Sequence, residues 1–129
     1  MAARFGHPPL ARLREAADFL ALRREGKRIA SPCFHAQYRL TETGHARLGM
    51  AVSRRVSKHA VVRNRIRRII RESFRVRRGA LPDCNILLIA RSEAAARSRA
   101  ELRTDLESIW QRLAALKPRE ATRTIPPRS

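Results

Sequence analysis

Carboxylates are scarce in this chain: 11 Asp plus Glu stand against 29 Lys plus Arg in 129 residues, a formal charge of +18. They are also scattered. Glu15, Asp18 and Glu25 share one N-terminal segment, Glu42 lies among turn residues, Glu72 among arginines and Asp83 before an apolar run, with the rest toward the C-terminus. Cleavage of a phosphodiester by protein groups alone needs a positioned acid/base pair or carboxylates that hold a divalent metal. Neither is visible. No H-x-x-x-H, D-x-D, C-x-x-C or Gly-rich phosphate loop occurs, and the five glycines read as turn residues. These absences put a stand-alone nuclease last among the candidate functions.

Other absences narrow the field further. The two cysteines, Cys33 and Cys84, are far apart and each lies in a strand-like segment, which predicts buried free thiols rather than a disulfide or a metal site. His7, His35, His45 and His59 show no ligand spacing and receive no site role. The protein by itself is therefore expected to bind no metal or cofactor. No apolar run approaches the roughly 20 residues that span a bilayer, and the N-terminus has no signal-peptide core. A cytoplasmic protein without a membrane partner is expected. The length suggests one domain with a modest core.

What the chain does have is concentrated positive charge. Between Ser53 and Arg78 eleven cations face one acid, Glu72, a net +10 in about a fifth of the chain. The run Val61 to Arg78 predicts an amphipathic helix. Ile66, Ile69, Ile70, Ser73 and Phe74 fall on one side, and Arg63, Asn64, Arg67, Arg68, Arg71, Arg75 and Arg78 on the other. Glu72 is within helical reach of Arg68 and Arg75 and is expected to steady them. A face of like charges repels itself unless a counter-charge arrives, and arginine's planar fork suits bidentate phosphate contact. The preceding segment adds Arg54, Arg55 and Lys58 beside the helix N-terminus, a natural phosphate seat. A concentrated basic patch points to nucleic acid first.

Around this helix the pattern predicts a small α+β domain over residues 13–116, with a flexible N-terminal arm at 1–12 and a disordered basic tail at 117–129. Leu13 to Glu25 favours a helix stopped by Gly26 at the position after its end, with Phe19 its only aromatic, a core residue or a surface stacking group. Lys27 to Pro32 reads as a basic loop. Phe34 to Leu40 alternates as a half-buried strand, Thr41 to His45 carries hairpin-loop chemistry, and Arg47 to Ser53 is the partner strand. The small residues Gly49, Ala51 and Ser53 on one face of that partner leave room for a groove. Gly79 is expected to cap the basic helix, with Pro82 beyond it. Cys84 to Ala90 reads as a central strand covered on both faces. Ser98 and Glu101 form a capping box that opens a last helix, whose apolar stripe includes Trp110 as a core residue. The order is helix, strand, strand, helix, strand, helix, a mixed sheet packed by helices.

The run Arg63-Asn64-Arg65-Ile66-Arg67-Arg68-Ile69-Ile70-Arg71-Glu72-Ser73-Phe74-Arg75 closely resembles the R-N-R signature helix of the protein component of bacterial ribonuclease P. Arg47-Leu48-Gly49-Met50-Ala51-Val52-Ser53-Arg54-Arg55 resembles the strand and basic turn before it, and Asp18-Phe19 with Gly26 seven residues on resembles the family's first helix. The resemblance covers roughly Leu13 to Leu116. It implies an accessory subunit of a ribonucleoprotein that removes the 5′ leader of precursor tRNA, with the active site and its Mg²⁺ held by the RNA subunit. The protein is then a monomer, one per RNA. It also implies an α+β sandwich with a left-handed βαβ crossover, where pattern reasoning alone gives a right-handed one. By motif, Arg63, Asn64, Arg65, Arg67, Arg68 and Arg71 meet the RNA subunit, with Arg54, Arg55 and Lys58 beside them. Phe19 and Phe34 line the cleft for the single-stranded leader, where stacking on an aromatic tolerates any base. Many relatives carry a second aromatic one helical turn after the position of Phe19; here it is Arg23. Gln37 and Tyr38 both remain candidates for the cleft, since a one-residue shift reverses a strand's face.

Two rival readings stand beside this one. A general RNA-binding or ribosome-associated protein would bind many RNAs without any effect on leader cleavage. A DNA-binding protein would lay the basic helix in the major groove, but with Asn64 as its only adenine-type reader the helix favours backbone contact over base readout.

Overall fold

The computed structural model describes residues 16–42 and 44–116, with side chains from Leu20 onward. The arm at 1–12, the start of the first helix and the tail at 117–129 lie outside the described residues. Helix α1 spans Ala16–Glu25, followed by β1 Lys27–Ala30, β2 Phe34–Leu40, β3 Arg47–Ala51, α2 Ala60–Arg77, β4 Cys84–Ala90 and α3 Arg99–Ala114. Short 3₁₀ turns occupy Arg78–Ala80 and Ser92–Ala96.

The four strands form one mixed sheet in the order β1-β2-β4-β3. β2 runs antiparallel to both β1 and β4, while β3 and β4 are parallel and joined by α2 as a crossover. Two expectations are corrected here. The segment after Gly26 is not a loop: Lys27–Ala30 pairs with His35 to Tyr38 as an edge strand. β2 and β3 are not hairpin partners either, because β4 lies between them. The nearly continuous apolar sequence of β4 explains its central slot, where five of its seven residues are buried.

Strand register sorts the side chains into two faces. Phe34, Ala36 and Tyr38 share one face with Cys84, Ile86 and Leu88 of β4 and Leu48 and Met50 of β3. These pack in one apolar cluster with Ile66, Ile69, Ile70 and Phe74 of α2 and with Leu102, Leu106, Ile109, Trp110 and Leu113 of α3. Ser73, on the apolar side of α2, accepts a 2.7 Å hydrogen bond from Trp110 Nε1, and the Phe74 and Trp110 rings meet at 5.7 Å, tilted by 57°. That pair fixes how α2 is rolled, and so where its arginines point.

Leu22 is 1% exposed yet belongs to no part of this cluster, and α1 touches the two central strands, β2 and β4. α1 therefore packs on the opposite face, the one that carries His35, Gln37, Asn85, Leu87 and Ile89. Gly49 and Ala51 pair with Leu87 and Ile89 on that face, and Ala51, Leu87 and Ile89 keep partial exposure. The small-residue side of β3 thus borders an open strip beside α1.

The helix ends follow local chemistry. α3 has the expected capping box: Glu101 N–H donates to Ser98 Oγ at 3.1 Å, and Ser98 N–H donates to Glu101 Oε1 at 2.9 Å, which holds the Glu101 carboxyl below its usual range. Gly79 is not the expected left-handed cap. α2 instead runs on into the 3₁₀ turn, closed by Leu81 N–H on Arg78 O at 3.2 Å, and Gly44 is the one described glycine at positive φ. Gly26 is required for another reason, close approach, since a Cβ there would lie 2.4 Å from Leu22 O.

Candidate nucleic-acid interface

Val52 and Val56 are buried and pin both ends of the turn that leads from β3 toward α2. Val56 N–H closes that turn on Ser53 O at 3.0 Å, and Ser53 Oγ accepts from Arg55 N–H at 3.2 Å. With the valines inward, Arg54, Arg55 and Lys58 are left outward and exposed. On α2 the 3.6-residue period does the same: the isoleucines and Phe74 are buried, Asn64 and Arg68 are exposed, and Arg63, Arg65, Arg67 and Arg71 are half-exposed. The nine residues expected to meet RNA thus all keep at least partial exposure, on the turn and on α2. The helix N-terminus on this surface has no side-chain cap and no acid in its first turn, so its free N–H groups add to the positive end.

Elsewhere, Arg39 pairs with Glu25, Arg77 with Glu107, Arg91 with Glu93, Arg97 with Glu101 and Arg103 with Glu72. Glu72 therefore reaches across to α3 rather than steadying Arg68 or Arg75 along its own helix. Among the described residues, the side chains of Arg54, Arg55, Lys58, Arg65 and Arg68 have no partner. Arg63 and Arg67 are engaged within the protein. Arg63 Nη1 donates to Ser57 O at 3.0 Å, and Arg67 donates from Nη2 to Val52 O at 3.3 Å and from Nη1 to Asn64 Oδ1 at 2.9 Å.

The second expected site, the cleft beside α1, is only partly as anticipated. Phe34 is corrected: it is 0% exposed and faces the α2–α3 core, because the α1 face of β2 belongs to the odd-numbered residues from His35 to Arg39. The same alternation decides between Gln37 and Tyr38. Tyr38 packs on the core cluster, and Gln37 faces α1. The side chain of Phe19 lies outside the described residues, and Arg23 is exposed on α1. Sequence reasoning missed the pair that closes this face, Arg47 Nε donating 2.9 Å to Asn85 Oδ1, with Asn85 1% exposed. An asparagine inside an otherwise apolar strand was the available signal.

A family profile described as Ribonuclease P matches residues 8–114. The chain belongs to the ribonuclease P protein family. The ribonuclease P protein component of Halorhodospira halophila is 40% identical over 104 residues, covering 80% of this chain and 85% of that protein. Among solved structures, the RNase P protein of Staphylococcus aureus aligns with a TM-score of 0.73 at 31% identity, covering 78% of this chain and 93% of that one. That of Thermotoga maritima aligns at 0.70 and 30%, covering 78% and 96%. As a ribonuclease P protein, the chain is a subunit of an endoribonuclease that acts in tRNA 5′ processing, with an RNA subunit and a tRNA substrate as partners. Among the described residues, no three His, Cys, Asp or Glu side chains are grouped to hold a metal ion, and no helix is long and apolar enough to cross a membrane.

Proposed function

We propose that the surface formed by Arg54, Arg55, Lys58 and the arginine side of α2 seats the catalytic RNA, and that the strip between α1 and the sheet receives the 5′ leader of precursor tRNA. The observation that carries this reading is the concentration of unmatched charge: Arg54, Arg55, Lys58, Arg65 and Arg68, on one turn and the first half of the helix after it, have no carboxylate partner among the described residues. Like charges at i,i+4 destabilise a helix by about 0.2–0.5 kcal/mol per pair, a cost that RNA phosphates would remove. Mg²⁺ for the cleavage step would be held by the RNA's own phosphates, and the protein's cations would relieve RNA–RNA repulsion around it. One protein monomer per RNA, in the cytoplasm, completes the reading.

The test is cleavage of a precursor tRNA at low Mg²⁺ by a bacterial ribonuclease P RNA, with protein, without protein, and by protein alone. Rescue that requires both components is expected. Tight binding to unrelated RNAs without rescue would favour a general RNA-binding protein. For the cleft, Phe19→Ala is expected to weaken binding of leader-bearing substrate by about 5- to 150-fold while sparing mature tRNA, since stacking contributes about 1–3 kcal/mol per base. Equal loss for both RNAs would sink that assignment.

A further inference from the structure

We infer that Arg63 and Arg67 are positioning residues, which hold the basic turn and Asn64 in the shape that the RNA meets, whereas direct phosphate contact falls to their unpartnered neighbours. The inference rests on the RNA-binding reading of this surface. Both guanidinium groups are already committed inside the protein. Arg63, on the first turn of α2, donates 3.0 Å to Ser57 O. One turn on, Arg67 uses its two terminal nitrogens in two directions, toward Val52 O at the end of β3 and toward Asn64 Oδ1. Together they tie the turn that carries Arg54, Arg55 and Lys58 to the helix at both of its ends. Without those ties the turn depends on the two buried valines and on local contacts made by Ser53 and Ser57. Three exposed like charges would then drive it open.

Arg67 also sets what Asn64 can offer. With Oδ1 accepting from Arg67, the amide presents its NH₂ group outward as a donor. Bidentate recognition of adenine uses an amide's donor and acceptor together. With Oδ1 occupied by Arg67, the outward NH₂ group can donate to phosphate, sugar or a base acceptor, independent of sequence. Lysine at residue 67 would keep the charge, but its single ammonium on a flexible stem does not reproduce the planar fork between two fixed acceptors.

The experiment separates geometry from charge. Hydrogen exchange of the free protein, without RNA, is read at the amides of Arg55, Val56 and His59 in wild type, Arg63→Lys and Arg67→Lys. The same proteins, with Arg65→Ala and Arg67→Ala, are titrated with ribonuclease P RNA over a salt series, and melting temperatures establish that every variant is folded under the assay conditions. The expected result for Arg67→Lys is faster exchange in the turn, unchanged exchange at Ile66, Ile69 and Ile70, and RNA affinity lower by about fivefold to tenfold with the wild-type salt slope. Arg65→Ala should reduce the slope by about 1. Wild-type affinity and wild-type exchange in Arg67→Lys would overturn the inference. So would unaltered exchange in the Lys variants together with a slope loss in Arg67→Ala equal to that of Arg65→Ala, the mark of direct phosphate contact. If turn exchange quickens but RNA affinity moves in none of the variants, Arg65→Ala included, the RNA-binding reading itself fails and takes this inference with it.

Discussion

His35 shows how burial acts on a single residue. It stands on the α1 face of β2 with Nε2 shielded from water and without a hydrogen-bond partner among the described residues. Burial lowers its pKa, and the positive charges of Arg28 and Arg91 lower it further. The folded protein thus binds this proton less readily than the unfolded chain does. The stability that His35 contributes is present above the ordinary histidine value of 6.5 and is lost as pH falls through its lowered folded value. The melting temperature of the free protein should fall as pH drops below about 6.5, and His35→Gln should flatten that fall. An unchanged profile in the variant would contradict the assignment. The two thiols respond to burial in the opposite sense. Cys33 is pushed up to about 11, by burial and then by its Asp105 neighbour, and Cys84 to about 12, by burial and then by Asp83. Both are free and buried, Cys84 at the start of β4 and Cys33 in the bend just before β2.

At the scale of elements, the two amphipathic helices α2 and α3 were legible because their period is long and their apolar residues are large. Trp110 and Ser73 show the value of that pattern: both were placed on apolar faces, and they meet in one hydrogen bond. Trp110→Phe keeps most of the ring packing while removing that donor. It should destabilise the protein by about 1 kcal/mol in chemical denaturation, with Ser73 Oγ left short of its partner. A loss of several kcal/mol would mean that ring volume rather than the bond dominates. The strands were read less well. Periodicity alone cannot say which strand neighbours which, so the turn residues between β2 and β3 suggested a hairpin that the more apolar β4 displaces. Nor could it name which face of β2 meets which helix; the family resemblance put Phe34 in the cleft, whereas the alternation of β2 puts it in the core. β1 is four residues with one buried side chain, too little signal to stand out from a basic loop. The end of α2 was misjudged because a glycine after a helix suggests a left-handed cap, whereas the chain here tightens into a 3₁₀ turn before Pro82.

For the whole molecule, the arrangement of charge was more legible than the arrangement of strands. Charge excess, the concentration of over half of it in about a fifth of the chain and its sidedness on a helix can all be counted without knowing topology. What could not be counted is which cations would find partners. Glu107 of α3 takes up Arg77, and Glu72 is drawn to Arg103 of α3, which leaves the arginine side of α2 more purely positive than the sequence suggested. The most direct test of this account is the salt dependence of binding to ribonuclease P RNA by wild type, by the double variant Arg65→Ala/Arg68→Ala, and by the control Arg99→Ala/Arg103→Ala on α3. The account predicts a steep negative slope for wild type, a slope shallower by about 2 for the α2 variant, and a wild-type slope for the control. Equal slopes for the two double variants would contradict it, because the RNA would then be responding to net charge rather than to this surface.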